Sequence, residues 1–159
     1  MIISEDFPLI SGVKTRPLRV IPDDRGWLTE ILRSDDPDFR NFGQVYLTAV
    51  YPGVIKAWHF HKQQTDFIAC IKGMIRLGLY DPREDSPTKG RSAEIFAGCL
   101  NPLMVVVPPG VMHGFQCLGT EVALVVNVPD RPYNYDNPDE FRVDIEDPSV
   151  PYIWKIRNR

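Results

Sequence analysis

Residues 53–73 read Gly53-Val-Ile-Lys-Ala-Trp-His59-Phe-His61-Lys-Gln-Gln-Thr-Asp66-Phe-Ile-Ala-Cys-Ile-Lys-Gly73. Side chains two residues apart on a β-strand point to the same face, so His59 and His61 are predicted to converge on one point. A turn through residues 62–65 must then carry the chain into the next strand before Asp66 can face the same interior. This segment predicts two short strands that present two imidazoles and a carboxylate to one pocket.

A second segment, Pro108-Pro-Gly110-Val-Met-His113-Gly-Phe115, carries the third histidine of the chain. A lone histidine is most often an ordinary strand residue or a hydrogen-bonded core residue. Two histidine motifs with flanking glycines, one of them preceded by a Pro-Gly turn, favour a shared site over that interpretation. The three imidazoles and Asp66 are therefore predicted to form one site in a small barrel.

Fifteen prolines and eleven glycines divide the 159 residues into apolar runs of strand length, which is typical of an all-β fold. The predicted strands are Leu18–Ile21, Gly26–Arg33, Phe42–Val50, Ile55–His61, Asp66–Lys72, Met74–Tyr80, Ala93–Phe96, Leu103–Val107, Gly114–Leu118, Val122–Val128 and Tyr152–Ile156. Only residues 35–40 indicate a helical turn, with Ser34 as its cap. Trp58 is predicted to lie in the core or at a dimer interface, and Tyr152 and Trp154 are predicted to be packing residues. Many short strands at this spacing predict a sandwich or jelly roll.

The bulk composition predicts one domain over residues 1–159, because the chain is long enough for one core and too short for two. A formal net charge of −3 at pH 7 provides no broad cationic surface, which argues against nucleic acid or an anionic membrane as a partner. A small anionic ligand needs only a few basic residues in a pocket and stays compatible with this charge. No signal peptide or membrane span is visible, and three cysteines without a CxxC pair indicate a cytoplasmic location.

The spacing of glycines, histidines and acid in residues 53–73 resembles the first motif of the cupins, and residues 108–115 supply the partner motif. A wider set of motifs resembles the sugar-nucleotide 3,5-epimerase family of the cupin superfamily, typified by dTDP-4-dehydrorhamnose 3,5-epimerase. These motifs occupy residues 24–30, 56–60, 81–90, 109–115 and 135–140, followed by Asp147-Pro148 and Trp154. The resemblance covers most of the chain and implies a cupin double-stranded β-helix, or jelly-roll barrel, that forms a homodimer.

The resemblance implies an isomerase that removes a proton next to the ketone of a 4-keto-6-deoxy nucleotide sugar, in polysaccharide or dTDP-rhamnose biosynthesis and without an organic cofactor. The residue matching His59 is the family's catalytic base, which such chemistry needs together with a stabilised enolate oxygen. Arg25 and Lys56 match positions that contact the diphosphate or the sugar, and His113 matches a pocket histidine. The other substrate-binding residues that the matched motifs imply are Glu30, Asp81, Arg83 and Phe115.

The sequence departs from the family pattern at positions that carry chemistry. The family's catalytic acid is a tyrosine in the strand after His-Gly-Phe, but residues 122–127 contain no hydroxyl group. Tyr133 or Tyr135 is predicted to substitute from the following segment. The pocket lysine of the family falls at Asp66, and the carboxylate that partners the family's base has no match in this sequence.

These same substitutions support a second interpretation, in which His59, His61, Asp66 and His113 hold one divalent transition metal ion. Three histidines and a carboxylate suit zinc, iron, manganese or nickel and leave coordination positions open for a substrate. The two interpretations compete at His59, because a ring nitrogen that binds a metal cannot also accept a proton. The sequence thus leaves three candidates: an epimerase, a metal-dependent cupin enzyme of another reaction class, and a non-catalytic sugar-nucleotide-binding cupin.

Overall fold

The structure is a computed structural model that describes residues 10–154. The described residues are all β, as predicted, and they include no helix long and apolar enough to cross a membrane. The strands are β1 (Lys14–Pro17), β2 (Val20–Asp23), β3 (Gly26–Thr29), β4 (Tyr46–Val50), β5 (Ile55–Phe60), β6 (Asp66–Lys72), β7 (Met74–Tyr80), β8 (Ser92–Gly98), β9 (Leu103–Val107), β10 (Met112–Leu118), β11 (Ala123–Asn127) and β12 (Phe141–Arg142).

Ten of these strands form two five-stranded antiparallel sheets that pack face to face. The first sheet has the order β1-β9-β6-β11-β4, and the second has the order β12-β5-β10-β7-β8. From β4 onwards, strands that follow one another in sequence, such as β5 and β6 or β10 and β11, lie in different sheets, except for the pair β7 and β8. The chain therefore passes back and forth between the sheets, which confirms the predicted jelly roll.

The main core lies between the two sheets. Ile68 of the first sheet and Leu77 of the second belong to one cluster of buried apolar side chains there. β6 is also buried on its other face, because Phe67 lies in a second, smaller cluster against which residues 31–32 pack. Burial on both faces fixes the position of β6, and with it the position of Asp66, its first residue.

A cluster of three aromatic residues joins the second sheet to the C-terminal part of the described chain. Trp58 of β5 is 1% exposed, and its ring lies 5.2 Å from that of Tyr152 and 5.0 Å from that of Trp154. Gly78 of β7 leaves room for this packing, since a Cβ atom there would lie 2.7 Å from the Trp154 ring. The predicted packing role of the three aromatic residues is confirmed, with Trp58 in the core.

The predicted helical turn is wrong. Residues 35–40 lie in successive turns, with hydrogen bonds from Asp36 N to Arg33 O at 3.2 Å and from Phe39 N to Asp36 O at 3.0 Å. The Asp36 carboxylate accepts a further hydrogen bond from Arg33 N at 2.8 Å. The Asp36 carboxylate thus stabilises this turn by binding the backbone N–H group of Arg33, and no helix capped by Ser34 forms.

Two short strands, β1 and β12, were not predicted because neither contains an apolar run. They form through pairing with strands that are distant in sequence, as where Phe141 of β12 lies opposite Phe60 of β5. The predicted strand Tyr152–Ile156 does not form over residues 152–154, and residues 155–156 lie outside the described part of the chain. Whether these segments form strands depends on pairing with residues distant in sequence, and the local sequence gives little indication of such pairing.

β2 and β3 form a separate hairpin that pairs with neither large sheet. Its apolar side chains face solvent, with Trp27 61% exposed and Leu28 58% exposed. An isolated two-stranded hairpin is only marginally stable in water, and exposed apolar patches commonly mark contact surfaces. The hairpin also carries Arg25 at its turn.

Candidate active site

A cavity of about 1280 Å³ opens between the two sheets. Most of its lining comes from β4 and β11 of the first sheet, β5 and β10 of the second, and the segment 131–142. His59 and His61 line the cavity, while Asp66 and His113, each 1% exposed, lie buried beside them. One imidazole nitrogen from each histidine and one Asp66 oxygen all lie within 4.8 Å of one another. The structure therefore brings together the four residues that the sequence predicted as one site.

The Pro-Gly turn before β10 positions two of the histidines. Gly110 N donates a hydrogen bond of 2.7 Å to His61 O, which fastens the start of β10 to the end of β5. Gly110 has a φ angle of +81°, in the left-handed region that favours glycine. In the resulting register His113 lies opposite His59, and their ring centroids are 4.1 Å apart.

Asp139 anchors the segment that links β5 to β6. The sequence analysis gave this residue no role. Its carboxylate accepts hydrogen bonds from the backbone N–H groups of residues 62, 63 and 64 at 2.9, 2.8 and 3.1 Å. Burial opposes ionisation, but these N–H groups outweigh it and lower the pKa of the Asp139 carboxyl. The sequence feature that could have indicated a role for Asp139 is its place in the matched motif of residues 135–140.

Backbone carbonyl groups fix the tautomers of two histidines. His61 Nδ1 bonds to the carbonyl oxygen of Asp139, and His113 Nδ1 bonds to that of Val111 at 3.1 Å. A carbonyl oxygen can only accept, so each Nδ1 carries a proton. The opposite nitrogens, His61 Nε2 and His113 Nε2, lie 3.3 and 3.1 Å from Asp66 Oδ2.

Burial and mutual charge set the ionisation of this cluster. Burial would raise the pKa of Asp66, but the neighbouring imidazoles of His113 and His61 outweigh burial and lower this pKa well below its ordinary value. Burial would lower the pKa of His61, but Asp66 outweighs it and raises this pKa. For His59, burial and then the charge of His113 lower the pKa well below its ordinary value. His59 therefore stands in the cavity as a neutral imidazole with a free lone pair.

Tyr46 is a second residue that the sequence analysis missed. Asn127 Nδ2 donates hydrogen bonds to Tyr46 Oη at 2.7 Å and to Asp66 Oδ1 at 2.8 Å. Burial and then the charge of Asp66 raise the pKa of Tyr46 to about 12, so its hydroxyl keeps its proton at neutral pH. The sequence signal was the alternation of Gln44, Tyr46 and Thr48, three polar residues that share one face of the predicted strand Phe42–Val50 and that line the cavity.

Basic side chains surround the outer part of the cavity. Lys56, a predicted substrate-binding residue, lines it and donates a hydrogen bond of 2.9 Å to Ala49 O. The other basic residues of the lining are Lys62, Arg131 and Arg142. Phe115 also lines the cavity, as predicted for a binding residue, and is buried. This outer zone can bind an anionic group.

The two predicted acid tyrosines lie at the solvent-facing part of the cavity. The ring centroids of Tyr133 and Tyr135 are 5.0 Å apart, and the side chains are 38% and 88% exposed. The Tyr133 backbone N donates a hydrogen bond of 3.1 Å to Gln44 Oε1. Their exposed rings offer a stacking surface, whereas the Tyr46 hydroxyl is hydrogen-bonded to Asn127, which also binds Asp66.

Arg25 and Glu30, both predicted to bind substrate, do not line this cavity. Arg25 forms an ion pair with Asp23 at the turn of the hairpin, and Glu30 forms one with Arg33 at 2.8 Å. Both ion pairs are solvent-exposed, and exposed pairs contribute little to stability. In a single chain these two residues belong to the N-terminal surface and lie apart from the histidine cluster.

Asp81 and Arg83, also predicted to bind substrate, organise the loop that follows β7 and lie outside the cavity lining. Asp81 is fully buried and accepts hydrogen bonds from Arg83 Nε at 2.8 Å and Thr88 Oγ1 at 2.6 Å. Arg83 Nη2 donates a further hydrogen bond of 2.7 Å to Ser11 O. These contacts tie the loop to the N-terminal segment, which is a structural role.

Two curated proteins resemble the chain over nearly their whole length. Spore coat polysaccharide biosynthesis protein SpsL of Bacillus subtilis is 38% identical over 151 residues, which cover 95% of this chain and 100% of that protein. The probable low-salt glycan biosynthesis epimerase Agl13 of Haloferax volcanii is 40% identical over 149 residues, which cover 92% of this chain and 96% of that protein.

Comparison with solved structures and with family sequence profiles agrees with these two relatives. The crystal structure of a dTDP sugar isomerase from Desulfovibrio desulfuricans G20 superposes with a TM-score of 0.87 at 36% identity, covering 91% of this chain and 92% of that one. The profile of the family described as dTDP-4-dehydrorhamnose 3,5-epimerase matches residues 9–159. This chain is therefore a member of the dTDP-4-dehydrorhamnose 3,5-epimerase family.

Proposed function

We propose that this protein is an isomerase, an epimerase that inverts a carbon next to the ketone of a nucleotide-linked 4-keto-6-deoxy sugar. Membership in the family supports the reaction class. The names of the two curated relatives support a role in the synthesis of a polysaccharide or glycan. The observation that carries the proposal is the position of His59, a neutral imidazole on the wall of a cavity large enough for a nucleotide sugar.

His59 acts as the general base in this proposal. Its ring nitrogen takes the proton from the carbon next to the ketone, and the electron pair of the broken C–H bond moves to the ketone oxygen as an enolate. A proton returned to the same carbon from the opposite face completes the inversion. Such a reaction requires the base in contact with the carbon acid and a proton donor on the other side.

Tyr46 is our candidate for that donor. It lines the cavity from the first sheet, whereas His59 lines it from the second. Because Asn127 donates to the Tyr46 oxygen, the hydroxyl hydrogen of Tyr46 is left to point into the cavity. Tyr133 and Tyr135, which the sequence suggested, are the alternative donors at the solvent-facing part.

The outer part of the cavity binds the nucleotide diphosphate in this proposal. Lys56, Arg131 and Arg142 supply the positive charge for a diphosphate, and the arginines can make paired hydrogen bonds to phosphate oxygens. The exposed rings of Tyr133 and Tyr135 supply a surface on which a nucleoside base can stack. With the diphosphate bound in the outer part of the cavity, the keto sugar extends inward towards His59.

Deuterium exchange tests the proposed function. A 4-keto-6-deoxy sugar linked to dTDP, and in parallel to GDP, UDP and CDP, is incubated with the protein in deuterated water, and incorporation at C3 and C5 is followed by NMR and mass spectrometry. His59→Asn should lower the rate by roughly 100-fold or more, because it removes the general base. Asp85→Asn, in the exposed loop after β7, is the matched control and should retain the rate.

No deuterium uptake from any of the four nucleotide sugars would contradict the epimerase. If the protein nevertheless binds one of them, the non-catalytic binding cupin becomes the better description. Uptake by His59→Asn at the unaltered rate would leave the reaction class standing but would remove His59 as its base.

A further inference from the structure

Three buried acceptor atoms meet in the histidine cluster without a donor between them. His61 Nε2, Asp66 Oδ2 and His113 Nε2 are all inaccessible to solvent, and none makes a hydrogen bond of ordinary geometry. The separations from Asp66 Oδ2 are 3.3 Å to His61 and 3.1 Å to His113. Buried polar atoms of this kind are rare in folded proteins and call for a partner.

The tautomers turn this arrangement into a cation-binding geometry. Because backbone carbonyls hold the protons of His61 and His113 on Nδ1, the lone pairs on both Nε2 atoms face the Oδ2 oxygen of Asp66. Three acceptor atoms that face one another in a buried site repel unless a positive charge lies among them. That charge can be a proton shared with Asp66 or a metal ion.

We propose that His61 Nε2, Asp66 Oδ2 and His113 Nε2 bind one divalent transition metal ion. Ligand atoms about 2.0–2.2 Å from one ion stand roughly 3.0–3.5 Å apart, and the two measured separations fall in that range. A charge-assisted hydrogen bond from an imidazolium to a carboxylate is shorter, at about 2.7–2.9 Å. Both separations are longer than such a bond and match two ligands on one ion.

The surroundings of the three ligands match those of a built metal site. Metal-binding histidines characteristically donate their second N–H group to a backbone carbonyl or carboxylate, as both histidines do here. Asp66 Oδ1 accepts hydrogen bonds from Gln64 Nε2 and Asn127 Nδ2, both at 2.8 Å. These two amides orient the carboxylate so that Oδ2 alone is left for the ion.

His59 is not part of the ligand set, in contrast to the four-ligand set that the sequence suggested. Its ring centroid lies 4.1 Å from that of His113. Two imidazoles on one ion, at 90° or more to each other and with metal–nitrogen distances of about 2.0–2.1 Å, keep their centroids at least about 4.5 Å apart. The centroids of His61 and His113, 5.9 Å apart, satisfy this limit.

Leaving His59 outside the set resolves the competition between the two sequence-based interpretations. The metal site and the base become neighbours, with three protein ligands on the ion and at least one coordination position free for water or a substrate oxygen. The inference itself rests on the buried acceptors and does not require the proposed reaction.

Cobalt binding tests this inference without any substrate. Tag-free protein is treated with a chelator, dialysed and titrated with Co²⁺ alone, while visible absorption and elemental analysis report coordination and stoichiometry. We expect one Co²⁺ per chain, displaced by Zn²⁺. His61→Gln and Asp66→Asn should each weaken binding by roughly 10-fold or more, since each removes or neutralises a ligand, whereas His59→Gln should bind as the wild type does.

A second measurement on the wild-type protein guards against variants that fail to fold. X-ray absorption of the zinc-loaded protein should show two imidazole ligands, oxygen ligands and no sulfur. Wild-type protein that binds neither Co²⁺ nor Zn²⁺ would overturn the inference in favour of a proton shared between His61 and Asp66. Three imidazoles in the absorption spectrum, or loss of binding in His59→Gln, would overturn the three-ligand assignment.

Discussion

Tyr46 and His59 line one cavity from opposite sheets of the jelly roll. Tyr46 is the first residue of β4 in the first sheet, and His59 lies near the end of β5 in the second. A sugar ring bound between them meets a neutral imidazole on one side and a protonated phenol on the other. In the proposed reaction His59 removes the proton and Tyr46 returns one, so the two steps can be tested separately.

We predict that Tyr46→Phe uncouples exchange from inversion. His59 can still remove a proton and return it to the same face, so deuterium from the solvent should continue to enter the substrate. Net inversion should fall by roughly 100-fold, because the donor on the other face is lost. NMR of the sugar ring protons measures both quantities in a single reaction.

Tyr133→Phe and Tyr135→Phe are the matched controls for this prediction, since each also removes one hydroxyl group from the cavity lining. Both should keep the ratio of inversion to exchange, with any change confined to KM if their rings stack on the nucleotide. A selective loss of inversion in Tyr133→Phe or Tyr135→Phe, with Tyr46→Phe unaffected, would identify the donor that the sequence analysis suggested.

We predict that Asp139→Ala destabilises the protein and loosens the histidine cluster. The substitution leaves three backbone N–H groups of residues 62–64 without their acceptor, at a cost of about 1–3 kcal/mol in the free energy of unfolding. Urea denaturation measures this loss. Asp136→Ala, an exposed acid in the same segment, should change the free energy of unfolding by much less. Equal effects of the two variants would contradict the anchoring role of Asp139.

The strands that the sequence predicted best are those with buried apolar runs. The predicted bounds of Asp66–Lys72, Met74–Tyr80 and Leu103–Val107 coincide with β6, β7 and β9. The local pattern suffices there because most residues of these strands are buried in the double sheet. It fails for Phe141–Arg142, whose strand exists only because it pairs with β5 some eighty residues earlier.

The same limit applies to the site. His59 and His61 share one short motif, and the spacing of that motif carried their prediction. Tyr46 and Asp139 reach the site from a neighbouring strand and from a distant loop, and no spacing in the sequence records their hydrogen bonds to Asn127 and to residues 62–64. Residues brought together by long-range pairing therefore required the structure.

We predict that the protein is a homodimer and that the β2–β3 hairpin contributes to its interface. Trp27 and Leu28 expose apolar surface on a hairpin that no strand of the described chain covers. Light scattering at micromolar concentration should give about twice the chain mass for the wild type and about one chain mass for Trp27→Ser/Leu28→Ser. Leu100→Ser removes exposed apolar surface in a different loop and should stay dimeric. A monomeric wild type would contradict the prediction.

We predict that Asp81 makes stability depend on acid pH. Burial would raise its pKa, but hydrogen bonds from Arg83, Ser86 and Thr88 outweigh burial and lower the pKa of the folded protein below the ordinary carboxyl value. A lowered folded-state pKa stabilises the fold above the unfolded value of about 3.9, and this contribution is lost as pH falls through the folded value. Asp81→Asn should therefore lower the free energy of unfolding at pH 7, and its difference from the wild type should narrow below about pH 4. Urea denaturation at pH 7, 5 and 3 measures the difference, with the exposed Asp85→Asn as control. A difference that stays constant across this range would show that Asp81 stabilises the loop by shape alone and not through its charge.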